Sequence, residues 1–163
     1  MWSKDGPETE DGRPTASGFG GTEMNSATAL TKEIRYKFQK LDVYQLALEY
    51  LDKLYDLTKT FPPEEKYNLT SQLQRAGTSI VLNIAEGSTG QSDAEQNRFL
   101  GLALRSYLET IACLDIAQRR AYSSLDSLRE IRAFGHQLFT RLQAFRRFLN
   151  RRAFGSQSSV TGQ

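Results

Sequence analysis

The chain has 163 residues, 39% hydrophobic and 25% charged, with one cysteine and a formal net charge of +2. That length suits one domain with a sizeable core, and the single thiol, Cys113, excludes an intramolecular disulfide framework or a cysteine-rich zinc site, in keeping with a reducing cytoplasm. The near-neutral total hides a bias: residues 123–152 hold seven arginines against Asp126 and Glu130, residues 34–122 balance, and residues 1–33 hold three cations against six carboxylates.

Residues 1–33 carry five of the twelve glycines and two of the four prolines within their first 21 positions, and no apolar residue recurs at a fixed spacing. Such a segment cannot bury enough apolar surface to offset its ordering entropy, so it reads as a disordered acidic tail. It lacks the apolar stretch of a signal peptide. The longest aliphatic run elsewhere, Ile80-Val81-Leu82, is far short of the roughly 20 residues that span a bilayer. The expectation is a cytoplasmic protein with no membrane partner.

Residues 34–154 show helical periodicity throughout and no proline after Pro62-Pro63, which predicts an all-α chain. A first helix is expected from Lys40 to Thr60, with apolar Leu41, Tyr44, Leu48, Leu51 and Tyr55 facing the core and Pro62-Pro63 ending it. A second starts with Asn68 as N-cap, repeats Leu69, Leu73, Ala76, Ile80 and Ile84, and stops at Gly87. The third opens on the capping box Ser92-Asp93-Ala94-Glu95 and repeats Leu100, Leu104, Tyr107, Ile111 and Leu114. Ser123-Ser124 offers the cap of a fourth, whose seam is Leu128, Ile131, Gly135, Leu138, Leu142, Phe145 and Leu149. Residues 155–163 read as a disordered C-terminal tail. Short connections favour antiparallel neighbours, hence an up-down-up-down four-helix bundle.

Two helices are more apolar than one bundle face requires. The first carries a second row at Val43, Ala47, Tyr50, Leu54, Leu57 and Phe61, and the third another at Phe99, Ala103, Ser106, Thr110, Cys113 and Ala117. A second copy of the chain would cover such wide arcs, and a core that simply uses wide arcs would also account for them.

From Phe38 to Tyr122 the chain resembles the four-helix-bundle family of proteins encoded in intervening sequences of 23S rRNA genes. The likeness is carried by Lys40-Leu41-Asp42-Val43-Tyr44, Leu57-Thr58-Lys59-Thr60-Phe61-Pro62, Leu69-Thr70-Ser71-Gln72-Leu73, and above all Ser79-Ile80 with Asn83-Ile84-Ala85-Glu86-Gly87. Arg98-Phe99-Leu100, Ser106 with Glu109, and Ile116-Ala117-Gln118-Arg119-Arg120 continue it. Val81-Leu82 stands where the family is expected to have Pro-Ser, which predicts a straighter helix here. The resemblance implies a four-helix bundle assembled into a ring, commonly a homopentamer, without enzymatic activity. The chain is also similar to the accessory variability determinant of diversity-generating retroelements, which implies a reverse transcriptase and its RNA as partners.

The residues themselves offer little chemistry for catalysis. His136 is the only histidine and no Glu lies three positions before it, which excludes a di-iron pair of Glu-x-x-His motifs. There is no Gly-rich phosphate loop, and no metal or other cofactor is expected. Cys113 sits in the small-residue row of the third helix and reads as a packed apolar group. In the second helix Gln72, Arg75, Ser79, Asn83 and Glu86 recur at helical spacing. This polar stripe is read as a structural network, with a pore or partner groove as the other reading.

Arg141, Arg146, Arg147, Arg151 and Arg152 crowd the end of the fourth helix, interleaved with Phe148 and Phe154. Cations there also favour the helix dipole, but one or two would suffice for that. The cluster is the candidate nucleic-acid site. Two functions stay open: an oligomeric scaffold for RNA or a ribonucleoprotein, serving a reverse transcriptase, and a protein-only adaptor that docks a partner protein.

Overall fold

The computed structural model describes residues 36–90 and 92–158, with side chains through Ala153. The expected N-terminal tail and residues 159–163 lie outside the described residues. Within them the fold is four helices and no strand: α1 Asp42–Thr58, α2 Leu69–Gly87, α3 Asp93–Arg119 and α4 Leu125–Ser158, with 3-10 turns at Lys37–Lys40 and Pro63–Tyr67. Each helix packs on two neighbours, α1 on α2, α2 on α3, α3 on α4 and α4 back on α1.

Side-chain pairs fix the direction of every neighbour. Thr58 near the end of α1 meets Gln74 near the start of α2, Gly87 at the end of α2 meets Phe99 near the start of α3, and Asn97 meets Asn150 while Asp115 meets Arg132. All four contacts between neighbours are antiparallel, since Lys53 late in α1 reaches Glu130 early in α4. That is the up-down-up-down order expected from short loops.

The helix starts follow local chemistry, with one correction. Ser92 Oγ accepts the Glu95 amide at 3.2 Å, and Ser124 Oγ accepts the Ser127 amide at 3.2 Å, so α3 and α4 are capped as expected. Asn68 precedes α2 but makes no side-chain cap. Glu65, from the preceding 3-10 turn, does that work: its Oε2 accepts the Leu69 amide at 3.1 Å and Asn68 Nδ2 at 2.8 Å. Its Oε1 accepts the Tyr122 hydroxyl at 2.8 Å. The Tyr122 bond foremost, then the Leu69 amide, holds the Glu65 carboxyl below the usual carboxylate range.

The helix ends differ in detail from expectation. α1 stops at Thr58, two residues early, where the Thr58 and Thr60 hydroxyls donate to the Tyr55 and Leu57 carbonyls. α4 continues to Ser158, four residues past Phe154, because neither proline nor a charge reversal interrupts it. α2 runs unbroken through Val81-Leu82. Gly87 is its last helical residue and its φ is not positive, so it is not the left-handed stop expected of it. A Cβ there would lie 2.7 Å from Phe99 Cβ, and the glycine lets α2 and α3 approach each other.

In α1 the core row is not Leu41, Tyr44, Leu48, Leu51 and Tyr55. Val43, Ala47, Tyr50, Leu54 and Leu57 are buried instead, Leu41 through Leu51 of the other row are half-buried, and Tyr55 is 43% exposed. The buried row wins because it carries Tyr50, whose ring fits against Gly135 on α4 and whose hydroxyl reaches Thr110 on α3 at 2.9 Å. Thr110 donates its only proton to the Tyr107 carbonyl at 2.6 Å, so Tyr50 is the donor in the first bond.

On α3 both rows are buried apart from Ile111 and Phe99, which are half-buried. Ser106 faces α2, with its hydroxyl 2.9 Å from that of Ser79, and the Tyr107 ring lies against Phe139 of α4. The wide arc of α3 is therefore consumed within one chain and requires no second copy. On α4 the expected seam holds, with Leu128, Leu138, Leu142 and Leu149 all 1% exposed or less.

Candidate nucleic-acid interface

α4 has 34 residues and α3 has 27. The last turns of α4 run beside the first turns of α3, and the five candidate arginines divide according to which side of α4 they leave. Arg146 turns toward α3. Its Nε donates to Asn97 Oδ1 at 2.9 Å, and Asn97 is itself held by donating to Asn150 Oδ1 at 2.8 Å. The guanidinium carbon rests 3.5 Å from where a Cβ on Gly101 would sit, ordinary van der Waals distance, so the side chain lies over that position of α3. Arg152 pairs through Nε with Asp93 at 3.3 Å and lies over the Phe148 ring at 5.7 Å.

Arg147 and Arg151 are one turn apart on the outer side and exposed. Arg151 Nε points at the Arg147 carbonyl at 3.4 Å, and the Arg147 approach to Gln143 is 3.5 Å, both too long to restrain them strongly. Arg141 is exposed too, but ten residues of helix place it about 15 Å from Arg151 and roughly 80° around the axis. The cluster is thus not one patch. Two arginines tie α4 to α3, two form an outer ridge, and Arg141 stands apart.

Sequence reasoning missed two cations that join Arg146. Arg98 and Arg105 lie on α3 either side of Gly101, in a groove of about 460 Å³ between α3 and α4. They were hidden in a stretch whose charge sums to zero, although their seven-residue spacing places them on one helical face.

The polar stripe of α2 also divides. Asn83 Nδ2 donates to the Ser79 carbonyl at 2.7 Å and to its hydroxyl at 3.1 Å, and Ser79 meets Ser106, so these residues link α2 to α3. Arg75, Glu86 and Gln72 are exposed. Arg75 and Glu86 instead line an open groove of about 520 Å³ with Tyr55 and Leu82. They take no part in the network expected of them, because the helix turns them outward past its contact with α3.

Cys113 is buried, and burial foremost, then Glu109, raises its thiol pKa, the opposite of what a nucleophile needs. His136 is exposed and stacks on Phe139. Among the described residues no group of three His, Cys, Asp or Glu is placed to hold a metal ion. No helix there is long and apolar enough to cross a membrane.

The fold defines a class of small four-helix proteins without strands, joined by short turns and carrying a long basic last helix. Residues 39–144 match the model of the 23S rRNA-intervening sequence protein family, and the chain belongs to that family. Among solved structures it is similar to a protein of unknown function from the S23 ribosomal protein family of Bacteroides thetaiotaomicron. The two are 27% identical, the alignment covers 64% of this chain and 95% of that one, and the TM-score is 0.60. No curated protein matches the chain. The family match ends before Arg146, so Arg146, Arg147, Arg151 and Arg152 lie beyond it, whereas Arg98 and Arg105 lie inside.

Proposed function

We propose that this protein is a non-enzymatic, homo-oligomeric scaffold that binds RNA through the basic end of α4. The observation that carries the reading is the pairing of the arginines: only Arg152 of the five has a carboxylate partner among the described residues. Arginines placed only to stabilise a surface would gain from nearby carboxylates, whereas unneutralised guanidinium groups displace counterions from a phosphate backbone. Resemblance to the accessory variability determinant extends the role to service beside a reverse transcriptase.

Assembly into a ring, a homopentamer by family resemblance, is part of the same proposal. Its support is the half-buried outer row of α1 together with exposed Leu82, Leu108 and Ile116. Light scattering should give a multiple of 18.4 kDa, five-fold for the pentamer. A monomer mass at micromolar concentration would remove this part of the reading.

The RNA test uses a variant with Arg141, Arg147 and Arg151 replaced by Gln, which keeps helix propensity and spares the two arginines that tie α4 to α3. The parent should bind RNA with affinity that falls steeply with salt, and the variant should lose most of it. No binding by the parent at about 50 mM salt, where the electrostatic contribution is strong, ends the RNA reading. The protein-adaptor reading then leads. It is favoured by the groove beside α2, where exposed Tyr55 and Leu82 sit between Arg75 and Glu86, a mixture of apolar and charged groups suited to another protein's surface.

A further inference from the structure

The groove between α3 and α4 is built differently from the outer ridge. Arg98 and Arg105 are separated by two helical turns, about 10.5 Å along α3, and Gly101 lies between them. Opposite that glycine sits the Arg146 guanidinium, half-buried and held by Asn97 through Nε alone, which leaves its two terminal nitrogens to the groove. Leu102, Leu104 and Leu108 complete the lining, Leu108 being 56% exposed.

None of the described residues that line this groove is a carboxylate. Glu109 lies one turn beyond Arg105, in the less favourable order for a helical ion pair, and forms none with it. Three like charges around one recess repel one another, and an anion bound among them would relieve that repulsion. A guanidinium fork suits phosphate oxygens. Within one strand of duplex DNA charges recur about every 3.4 Å of axis, so the roughly 10.5 Å from Arg98 to Arg105 is long enough to follow several consecutive phosphates of a strand. The exposed leucines offer an uncharged surface beside them for sugar and base.

We propose that the α3/α4 groove is a binding site for the phosphodiester backbone of single-stranded RNA, with Arg146 as the fixed central contact and Arg98 and Arg105 as flanking contacts. This site rests on the RNA-binding reading above and narrows it: the outer ridge attracts any polyanion, and the recess admits one strand.

The test measures fluorescence anisotropy of a labelled oligouridylate, and of an RNA duplex of equal length, with the full chain over a range of salt. Two variants are compared, Arg98→Gln with Arg105→Gln, and the Arg141, Arg147, Arg151 triple substitution. All five positions are exposed, and far-UV circular dichroism verifies the helices. The groove variant should lose about tenfold or more in single-strand affinity at low salt, with the log K against log salt slope reduced by about 1.4, while duplex affinity stays unchanged. The ridge variant should weaken both. If the groove variant binds the single strand as the parent does, or loses single strand and duplex equally, the groove proposal is wrong although RNA binding stands. If the parent binds neither RNA, both fail together.

Discussion

Replacing Gly135 with alanine tests whether the centre of this bundle is as tightly fitted as its geometry indicates. A Cβ at that position would lie 2.8 and 2.9 Å from Cε2 and Cζ of Tyr50 and 3.0 Å from Cε2 of Tyr107. Tyr50 is fully buried, and its hydroxyl is bonded to Thr110. Propensity alone favours the alanine by about 1 kcal/mol in a helix interior. Against that stand about 1–3 kcal/mol for overpacking and about 1–3 kcal/mol if the displaced hydroxyl loses its acceptor. The expected net effect is a loss of about 2 kcal/mol, or a fall in Tm of roughly 4–10 °C. The control is Gly101→Ala, whose Cβ meets nothing nearer than the Arg146 guanidinium at 3.5 Å. It should raise stability by about 0.5–1 kcal/mol, the ordinary glycine-to-alanine gain. Urea melts followed by circular dichroism at one protein concentration compare the two. A Gly135→Ala variant as stable as the Gly101→Ala variant would refute the reasoning, since it would mean that the tyrosine rings yield at no cost.

The Tyr50–Thr110 bond predicts an asymmetry: Thr110→Val strands a buried donor and should cost about 1–3 kcal/mol, whereas Tyr50→Phe leaves Thr110 bonded to the Tyr107 carbonyl and should cost about 0.5–1.5 kcal/mol. Equal losses in urea melts would contradict the donor assignment. Glu65 supplies a pH signature. Its folded pKa is depressed, so its contribution is present above the unfolded value near about 4.3 and disappears as pH falls through the folded one. The Tm difference between parent and Glu65→Gln should therefore be largest at neutral pH and shrink as the solution is acidified through the folded pKa; a difference that stays constant on acidification would exclude the charged cap.

How much of this was legible in the sequence depended on whether a local signal had a competitor. Ser92 and Glu95 admit one reading, and the α4 seam has one apolar row, so both were read correctly. α1 has two rows of similar hydrophobicity, and the choice was made by Gly135 and Thr110, residues far along the chain that accommodate Tyr50. Asn68 looked like a cap because its type favours one, yet Glu65 reaches the first free amide of α2, that of Leu69, from the 3-10 turn that Pro63 opens. Gly87 was recognised as necessary for the wrong reason, since the constraint comes from Phe99. For the candidate site, the arginine run was plain, but its division was not: Asn97 and Asp93, which draw Arg146 and Arg152 to α3, stand 49 and 59 residues away in sequence. Arg98 and Arg105 were overlooked because averaging charge along a segment erases what one helical face concentrates.

The unequal lengths of the helices affect how the protein opens to solvent. At 1.5 Å per residue, α1 spans about 25 Å and α4 about 51 Å, and Leu149 is the last described residue of α4 that is buried. Amide exchange along α4 should therefore be slowest around Leu138 and Leu142 and accelerate sharply from Asn150 to Ala153, where opening a turn breaks backbone bonds but uncovers no fully buried side chain. A ligand seated on Arg147 alone would leave that gradient in place, whereas one that also engages Arg151 would have to stop the fraying. Part of its affinity would then be absorbed in holding the last turns helical, and slower exchange at Asn150, Arg151 and Arg152 would record how much.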